Sequence, residues 1–268
     1  MQATIIENTS HNSYGFLSLS VPEEAVNDYR PGQFYMLSAN NKNTYDPILR
    51  RPFAPYSVNS DRHELTFLFS IVGRGTRALA DMGKDVRLSI SAPLGNPFKI
   101  LKGNIALIAG GVGLAPINYL AKQLIYAGAN VTLYYGARNK DLLFPPFIDN
   151  KFGSFKHATP KSKQTKLVIC TDDGSYEIQG FGTDLFATDV ANTHFDACYA
   201  VGPKPMMRAA HDICVKHNIP LHISLEEIMA CGVGACGGCM IDIKRDGKIQ
   251  SVRCCTEGPA FDSKEVFF

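Results

Sequence analysis

The sequence predicts a three-part chain: an antiparallel β-barrel, a Rossmann-like α/β domain and a small cysteine-rich C-terminal domain. Short alternating apolar runs separated by Gly, Pro, Asn and Asp turns fill residues 1 to about 100, which is typical of a barrel or sandwich. From about residue 102 the order becomes strand, glycine turn, helix, strand, which indicates a parallel sheet. Five of the eight cysteines then fall between Cys231 and Cys255.

The composition is that of a soluble globular protein with room for more than one hydrophobic core. The 268 residues are 45% apolar and 19% charged, with a net charge of +2, so no nucleic-acid or membrane-surface partner is expected. No apolar run reaches the roughly 20 residues of a membrane span, and the polar N-terminus lacks a signal-peptide pattern. We therefore expect a cytoplasmic protein. Clustered thiols in the reducing cytosol bind metals or act in redox chemistry more often than they form disulfides.

The barrel segment contains alternating runs and two candidate binding stretches. The runs are FLSLSV (16–21), QFYMLSA (33–39), ELTFLFSIV (64–72) and VRLSIS (86–91). RRPFAPYSV (50–58) places two arginines, two aromatic rings and a hydroxyl within nine residues, and such groups can grip a phosphate and cover a planar cofactor. VGRGT (72–76) ends a strand, and Gly75 and Thr76 at the following helix start would suit a phosphate.

The α/β segment begins with a second phosphate-suited turn. NIALIA is followed by GGVGLAP (110–116), whose glycines Gly110, Gly111 and Gly113 would let a phosphate approach backbone N–H groups at a helix start. Arg138, at the end of the next strand, is either a second anion contact or a surface arginine. Each motif taken alone is more often structural, but two such turns in two domains upstream of a thiol cluster favour cofactor binding.

The cysteine segment has the spacing C-x4-C-x2-C, with a fourth cysteine 15 or 16 positions after the third. This spacing matches plant-type [2Fe–2S] ligation, in which four thiolates hold two irons. Four glycines between the cysteines let the backbone wrap closely and aim N–H groups at the sulfurs: Gly232, Gly234, Gly237 and Gly238. Structural zinc is the alternative, although only Cys236 and Cys239 form a C-x2-C knuckle. The spacing alone leaves Cys254 and Cys255 equally eligible as the fourth ligand.

Other conspicuous residues are predicted to be structural. Cys170, Cys198 and Cys214 lie in apolar surroundings and are predicted to be small core residues. The polar stretch 147–166 is predicted to be a solvated loop, with a docking surface for an acidic partner as the less favoured interpretation. SLEEIMA (224–230) is predicted to begin a solvated helix, so Glu226 and Glu227 are not expected to act as catalytic acids.

The order of these motifs resembles the ferredoxin–NADP⁺ reductase superfamily across nearly the whole chain. The C-terminal stretches LEEIMACGVGACGGCMI and CTEGPAFDSKEVFF narrow the resemblance to the electron-transfer subunits of heterodimeric, NAD-dependent dihydroorotate dehydrogenases. The resemblance implies an FAD-binding β-barrel domain at 1–101, an NAD-binding α/β domain at 102–220 and a [2Fe–2S] cluster domain at 221–268.

The resemblance also implies individual contacts. The expected flavin contacts are Arg51, Pro52, Phe53 and Ala54 in the flavin motif, Leu68, Phe69 and Ser70 in the strand beneath it, and Gly75 and Thr76 in the pyrophosphate turn. Gly202 and Pro203 match the Gly-Pro of the nicotinamide pocket. In the family the fourth cluster ligand precedes x-Asp/Glu-Gly-Pro, which favours Cys255 over Cys254 as the partner of Cys231, Cys236 and Cys239.

Three features depart from the family pattern. Ala54 stands where the family has a serine, and a shifted register that uses Tyr56 and Ser57 restores the hydroxyl but loses the arginine. Val201 stands where the superfamily often has a cysteine, and the loop at 147–166 is longer than usual. Both flavin-motif registers therefore stay open. The choice between NAD and NADP also stays open, because a basic candidate near the ribose, Arg138, and an acidic one, Asp141, favour opposite answers.

The implied function is an electron relay in which the cofactors carry the chemistry, so no catalytic acid or base is predicted. Electrons would pass from an FMN-containing dihydroorotate dehydrogenase catalytic subunit, in a heterotetramer of two copies of each, through [2Fe–2S] and FAD to NAD⁺. The alternatives are a reductase subunit of another oxidoreductase, such as a hydrogenase or sulfite reductase, or a stand-alone NAD(P)H-dependent reductase. A zinc-stabilised binding module is the non-enzymatic alternative.

Overall fold

The computed structural model describes residues 1–38, 46–149 and 165–268. The described chain forms two compact units. The first unit comprises 1–98, 225–243 and 248–260, and the second comprises 99–224, 244–247 and 261–268. The predicted polar loop at 147–166 lies mostly outside the described residues. The predicted domain boundaries after residues 101 and 220 stay predictions.

The first unit is built on antiparallel strands. Its strands are β1 (Gln2–His11), β2 (Tyr14–Ser20), β3 (Tyr35–Leu37), β4 (Arg51–Phe53), β5 (Pro55–Asn59), β6 (Glu64–Ser70) and β7 (Arg87–Ser89). Five of them form one sheet in the order β5-β6-β2-β1-β7, and β3 pairs with β4. Isolated bridges from Leu37 to Ile90 and from Phe34 to Leu94 join the β3 segment to the residues after β7, while the described strands remain in two separate sheets. In β6 the alternating residues Leu65, Phe67 and Phe69 are buried on one face, and Leu68 on the other face is buried as well.

Two short helices complete the barrel part of the first unit: α1 (Glu24–Asn27) and α2 (Arg74–Ala80). The end of α2 is fixed by a side chain from β1. The Asn8 amide donates to the carbonyls of Leu79 and Met82, at 2.8 and 2.7 Å, and so satisfies acceptors that a helix end leaves without partners. This contact ties the helix that follows the 72–76 turn to the sheet.

The second unit is a mainly parallel α/β sheet. Its helices are α3 (Leu114–Tyr126), α4 (Pro145–Asp149), α5 (Gly182–Val190) and α6 (Lys204–Lys216). Its strands are β8 (Asn104–Gly110), β9 (Asn130–Ala137), β10 (Thr165–Thr171), β11 (Ile178–Gln179), β12 (Ala197–Val201) and β13 (Leu221–Ser224). The sheet order is β11-β10-β9-β8-β12-β13, with a last strand, β16 (Ala260–Asp262), beside β13. The chain order reverses between β8 and β12, and ligands of such sheets bind at the carboxyl ends of the strands there. We call this place the switch point.

The packing of the second unit confirms that its isolated cysteines are core residues. Cys170, Cys198 and Cys214 are all buried. Residues 105–109 of β8 are at most 1% exposed, as expected for a strand covered by helices on both faces. Among the described residues, no helix combines the length and the apolar character needed to cross a membrane.

The cysteine segment ends in a hairpin and a single helical turn. Its elements are β14 (Met240–Arg245), β15 (Lys248–Arg253) and α7 (Cys254–Glu257). The predicted helix start at 224–230 is wrong, because β13 ends at Ser224 and no helix follows. The Leu225 N–H donates instead to the Pro259 carbonyl at 3.0 Å. The backbone after β13 is therefore hydrogen-bonded to a segment that is distant in sequence.

Candidate cofactor sites

The predicted ligands form two pairs of thiols in the first unit. The Cys231 side chain interacts with that of Cys236, and the Cys255 side chain interacts with that of Cys239 and, less strongly, with that of Cys231. No group of three or more His, Cys, Asp or Glu side chains in the described ranges is gathered as a single metal ion would require. A two-iron cluster takes two terminal thiolates on each iron, so the four thiols of this segment are the number that it needs.

Backbone N–H groups point at three of these sulfurs. The Gly234 N–H donates to Cys255 Sγ at 3.2 Å, and the Cys236 N–H donates to Cys231 Sγ at 3.4 Å. The Gly238 N–H donates to Cys236 Sγ at 3.4 Å. Donors aimed at sulfur stabilise thiolates and are one of the means by which proteins set cluster potentials. The donor set therefore fits a thiolate-bound cluster.

The two pairs differ in their surroundings. Backbone donors, chiefly the N–H of Val233 and then that of Cys236, lower the pKa of Cys231 to about 6. Burial, followed by the neighbouring Cys239 thiol, raises the pKa of Cys255 to about 11. Cys236 is exposed whereas Cys239 and Cys255 are buried, so the loop has a solvent-facing pair and an inner pair.

The structure separates the two adjacent cysteines that spacing could not. The Cys254 thiol faces the Leu225 carbonyl at 3.9 Å. The backbone N–H of Cys254 donates to the Cys239 carbonyl at 3.0 Å. The Cys255 thiol interacts with the Cys239 thiol of the same loop. The assignment of Cys255 as the fourth ligand stays a prediction, and this geometry supports it.

The cysteine loop is held against the barrel strands of the same unit. A Cβ at Gly232 would lie 2.6 Å from Met36 Cγ of β3, and a Cβ at Gly95 would lie 2.7 Å from Pro259. The Asn96 side chain donates to the Glu257 carbonyl at 2.8 Å. These contacts involve residues that no local motif marks, and sequence reasoning did not find them.

The arginine of the flavin motif meets the glycine turn. A Cβ at Gly75 would overlap the Arg51 guanidinium, which therefore lies directly against the 72–76 turn. Arg51 also donates to the Leu49 carbonyl. The Thr76 hydroxyl accepts from the N–H groups of Val72 and Gly73, at 3.0 and 3.1 Å, and so shapes the turn. A guanidinium beside a glycine turn fits a diphosphate.

The two registers of the flavin motif differ in accessible surface. Residues 51–54 are all partly exposed, and Phe53 lies 5.2 Å, centroid to centroid, from the Phe69 ring of β6. Tyr56 is only 8% exposed, and its ring packs edge-on against Phe16. A planar ligand thus finds more free surface on residues 51–54 than on Tyr56. Ser57, Leu68 and Ser70 flank this region, and Leu68 is buried.

The predicted nicotinamide-dinucleotide residues of the second unit meet at the switch point. A Cβ at Gly110 would lie 2.8 Å from the Pro203 ring, and a Cβ at Gly113 would overlap the Val201 carbonyl oxygen. Gly111 begins a single 3₁₀ turn that leads directly into α3, and Gly202 follows β12. The structure thus brings the two glycine turns together. Gly110 and Gly113 have a structural reason to be glycine, because a side chain at either position would collide with the other turn.

Charged residues cluster at the neighbouring strand ends. Arg138 directly follows β9, and the N–H groups of Asp172 and Asp173 donate to the carbonyls of Ala137 and Arg138 at 3.1 and 3.2 Å. The Asp173 carboxylate accepts from the Ser175 hydroxyl and N–H, which lowers its pKa. The stretch TDDGS (171–175) is one of the motifs on which the family resemblance rests, but the sequence alone assigned no role to either aspartate.

Comparison with known proteins agrees with this architecture. Residues 226–267 match the family described as the iron–sulfur cluster binding domain of dihydroorotate dehydrogenase B, and residues 107–212 match the oxidoreductase NAD-binding domain. A dihydroorotate dehydrogenase B (NAD⁺) electron transfer subunit from Desulforamulus reducens is 35% identical over 88% of this chain and 86% of its own length. One from Clostridium acetobutylicum is 34% identical over 94% and 91%. The chain belongs to this family of electron transfer subunits.

Solved structures give the same fold. The structure of an NADH-dependent reduced ferredoxin–NADP oxidoreductase, studied for flavin-based electron bifurcation, has a TM-score of 0.81 at 27% identity, and the match covers 99% of this chain and 89% of the other. The Amycolatopsis cytochrome P450 reductase GcoB has a TM-score of 0.66 at 20% identity, over 83% and 69%, and shows the fold alone. The predicted family, fold class and cofactor set of [2Fe–2S], FAD and NAD are confirmed. The individual site residues stay predictions.

Proposed function

We propose that the chain is the electron-transfer subunit of an NAD⁺-dependent dihydroorotate dehydrogenase of pyrimidine biosynthesis. It receives electrons from an FMN-containing partner that oxidises dihydroorotate to orotate, and it delivers them to NAD⁺. Two copies of each subunit form the complex, which we place in the cytoplasm. The observation that carries this proposal is the paired set of four thiols with N–H groups directed at their sulfurs.

The cofactors supply one-electron transfer at the cluster and exchange between one- and two-electron steps at FAD. The protein's part is to hold and orient them. Cys231, Cys236, Cys239 and Cys255 hold the cluster, and Arg51 and the Gly75 turn hold the FAD diphosphate. The glycine turns after β8 and β12 present backbone N–H groups to NAD. The ranges 1–101, 102–220 and 221–268 serve as the FAD, NAD and cluster domains.

Purification under anaerobic conditions tests this function. The full chain is expected to carry about two irons per molecule, since one two-iron cluster binds per chain, with flavin bands and without stoichiometric zinc. Mixed with the FMN-containing partner, it is expected to co-elute as one complex and to reduce NAD⁺ when dihydroorotate is added. A stable complex inactive with dihydroorotate would contradict the donor. A colourless zinc protein that takes up no FAD would contradict the relay itself.

A further inference from the structure

The hairpin of β14 and β15 follows directly from the cysteine loop. β14 begins after one predicted ligand, Cys239, and β15 ends before Cys254. The Cys254 N–H donates to the Cys239 carbonyl at 3.0 Å, and the Ser251 hydroxyl donates to the Asp242 carboxylate at 2.5 Å. Three residues forward on one strand and three back on the other lead from the first pair to the second, so both pairs belong to one antiparallel register.

This register divides the hairpin into two faces. Successive side chains of a strand point to opposite sides, and residues paired across the two strands share a side. Within the first unit, the side of the Asp242 and Ser251 pair comprises five residues, which we call the hairpin face: Met240, Asp242, Ile249, Ser251 and Arg253. All five are exposed, Met240 by 44% and Ile249 by 69%.

The opposite side accounts for the folding of the hairpin. Ile243 is fully buried, and Cys239 and Cys254 are at most 3% exposed. The hairpin face, by contrast, buries none of its side chains, although Met240 and Ile249 are apolar. Exposed apolar residues grouped on one surface indicate a site for another protein, and Met and Arg are enriched in such interfaces.

The hairpin face also carries a positive charge beside the cysteine loop. A Cβ at Gly234, whose N–H points at a predicted ligand sulfur, would lie 3.4 Å from Arg253 Cδ. In the described part of the chain, no carboxylate pairs with the Arg253 guanidinium. The acidic residue of the face, Asp242, already accepts from Ser251. The segment 240–253 holds four basic and two acidic residues, so its charge is net positive.

We propose that the hairpin face docks an acidic surface of the FMN-containing subunit and that Arg253 pairs with a carboxylate of that subunit. This assignment rests on the proposed function. Charge selects the occupant, because a net positive face attracts an acidic surface and repels a basic one. Position supports it, because a donor seated on this face lies next to Cys239 and the loop that would hold the cluster. Five side chains cover less than the roughly 800 Å² that a stable interface buries on each partner, so the hairpin face is the orienting part of a larger interface.

The test measures how the full-length, cofactor-loaded chain associates with the FMN-containing dihydroorotate dehydrogenase catalytic subunit at low and at high salt. Arg253→Glu is expected to slow association about tenfold at low salt and much less at high salt, because salt screens the steering between opposite charges. Ile249→Ser is expected to weaken the complex about fivefold through faster dissociation, as loss of one apolar contact does. Arg62→Glu, in the exposed turn between β5 and β6, makes the same change of charge and is expected to alter neither rate.

The outcomes separate the docking surface from the function. A wild-type complex with unchanged rates in both hairpin variants would overturn the docking surface and leave the proposed function standing. Equal slowing in Arg253→Glu and Arg62→Glu would also overturn it, since total charge would then steer the partner. A wild-type chain that forms no complex would remove the proposed function and the surface with it. Iron content is expected to match wild type in every variant, and if Arg253→Glu loses iron, Ile249→Ser decides.

Discussion

Glycines serve the cysteine loop and the switch point for different physical reasons. Gly234 in the cysteine loop has φ of +80°, a left-handed conformation, and its N–H points at Cys255 Sγ. Gly113 at the switch point has φ of −58°, which any residue adopts, but its missing side chain leaves room for the Val201 carbonyl. The first glycine sets the direction of a donor, and the second sets the spacing of two turns. Substitutions at the two places should therefore affect different properties.

The largest expected effect is loss of the cluster. Cys255→Ser is expected to abolish stoichiometric iron and sulfide binding, because one of the four thiolates in the two pairs is removed. Cys254→Ser, its neighbour and control, is expected to keep the cluster, since that thiol faces the Leu225 carbonyl. Iron and sulfide assays with the visible spectrum measure both. A cluster retained in Cys255→Ser and lost in Cys254→Ser would reverse the assignment.

The next effect is on stability at the switch point. Gly113→Ala would force a methyl group onto a backbone oxygen that cannot move independently, and we expect a loss of about 3 kcal/mol or more in the free energy of unfolding. Gly128→Ala is the control, because that glycine has φ of +91° and nothing within 4 Å of an added Cβ. It should cost about 1–2 kcal/mol from backbone conformation alone. Denaturant unfolding of both variants measures the difference, and equal losses would argue against the steric explanation.

Substitution in the cysteine loop should act on the reduction potential. A Cβ at Gly234 would lie 2.9 Å from Thr256 Cγ2, so Gly234→Ala should displace the N–H that donates to Cys255. Losing about 1 kcal/mol of preferential stabilisation of the reduced cluster lowers a one-electron potential by roughly 40 mV. A redox titration followed by electron paramagnetic resonance measures the potential.

Two further variants isolate that cause. Gly237 also has positive φ, +69°, but nothing lies within 4 Å of its added Cβ, so Gly237→Ala should shift the potential much less. Thr256→Ser combined with Gly234→Ala removes the crowding methyl and should restore most of the lost potential. Equal shifts in Gly234→Ala and Gly237→Ala would show that loop strain, and not the Gly234 donor, controls the potential.

Local patterns predicted the parts of the structure that depend on neighbours in sequence. The spacing of Cys231, Cys236 and Cys239 constrains one short loop, and the two-residue and helical periods of the apolar residues mark strands and helices. The glycine turns after β8 and β12 follow from the βαβ order, which forces the carboxyl ends of parallel strands to one edge.

The failures and open choices all depended on distant residues. Glu226 and Glu227 led to the prediction of a helix start at 224–230. The Leu225 N–H instead donates a hydrogen bond to the carbonyl of Pro259, which is distant in sequence. The Glu226 side chain is exposed and that of Glu227 is half-buried, so this stretch is polar and accessible without being a helix. The orientation of Cys254 depends on that same segment, and the position of Arg51 depends on the Gly75 turn. No local rule contains such contacts.

The smallest expected effect is on the relative affinity for NAD and NADP. It tests the role of charge in the second unit, whereas the Gly113 variant tests steric fit at the switch point. Asp172 is exposed directly after β10, and its backbone N–H donates to the carbonyl of Ala137, next to Arg138. Its negative charge opposes a ribose 2′-phosphate, which Arg138 alone would attract. Asp172→Asn should improve the ratio of NADP⁺ to NAD⁺ affinity by about fivefold, the effect of roughly 1 kcal/mol between partly solvated charges.

Two controls distinguish this charge effect from damage to the turn. Arg138→Gln should change the ratio in the opposite direction, because it removes the attractive charge. Asp173→Asn should weaken both dinucleotides together, since the Asp173 carboxylate is committed to Ser175 and its loss loosens the turn. Dissociation constants for both dinucleotides, measured at low and high salt, check these expectations, because a true charge effect shrinks as salt screens it. If Asp172→Asn leaves the ratio unchanged, selectivity at this site does not come from the acidic strand end.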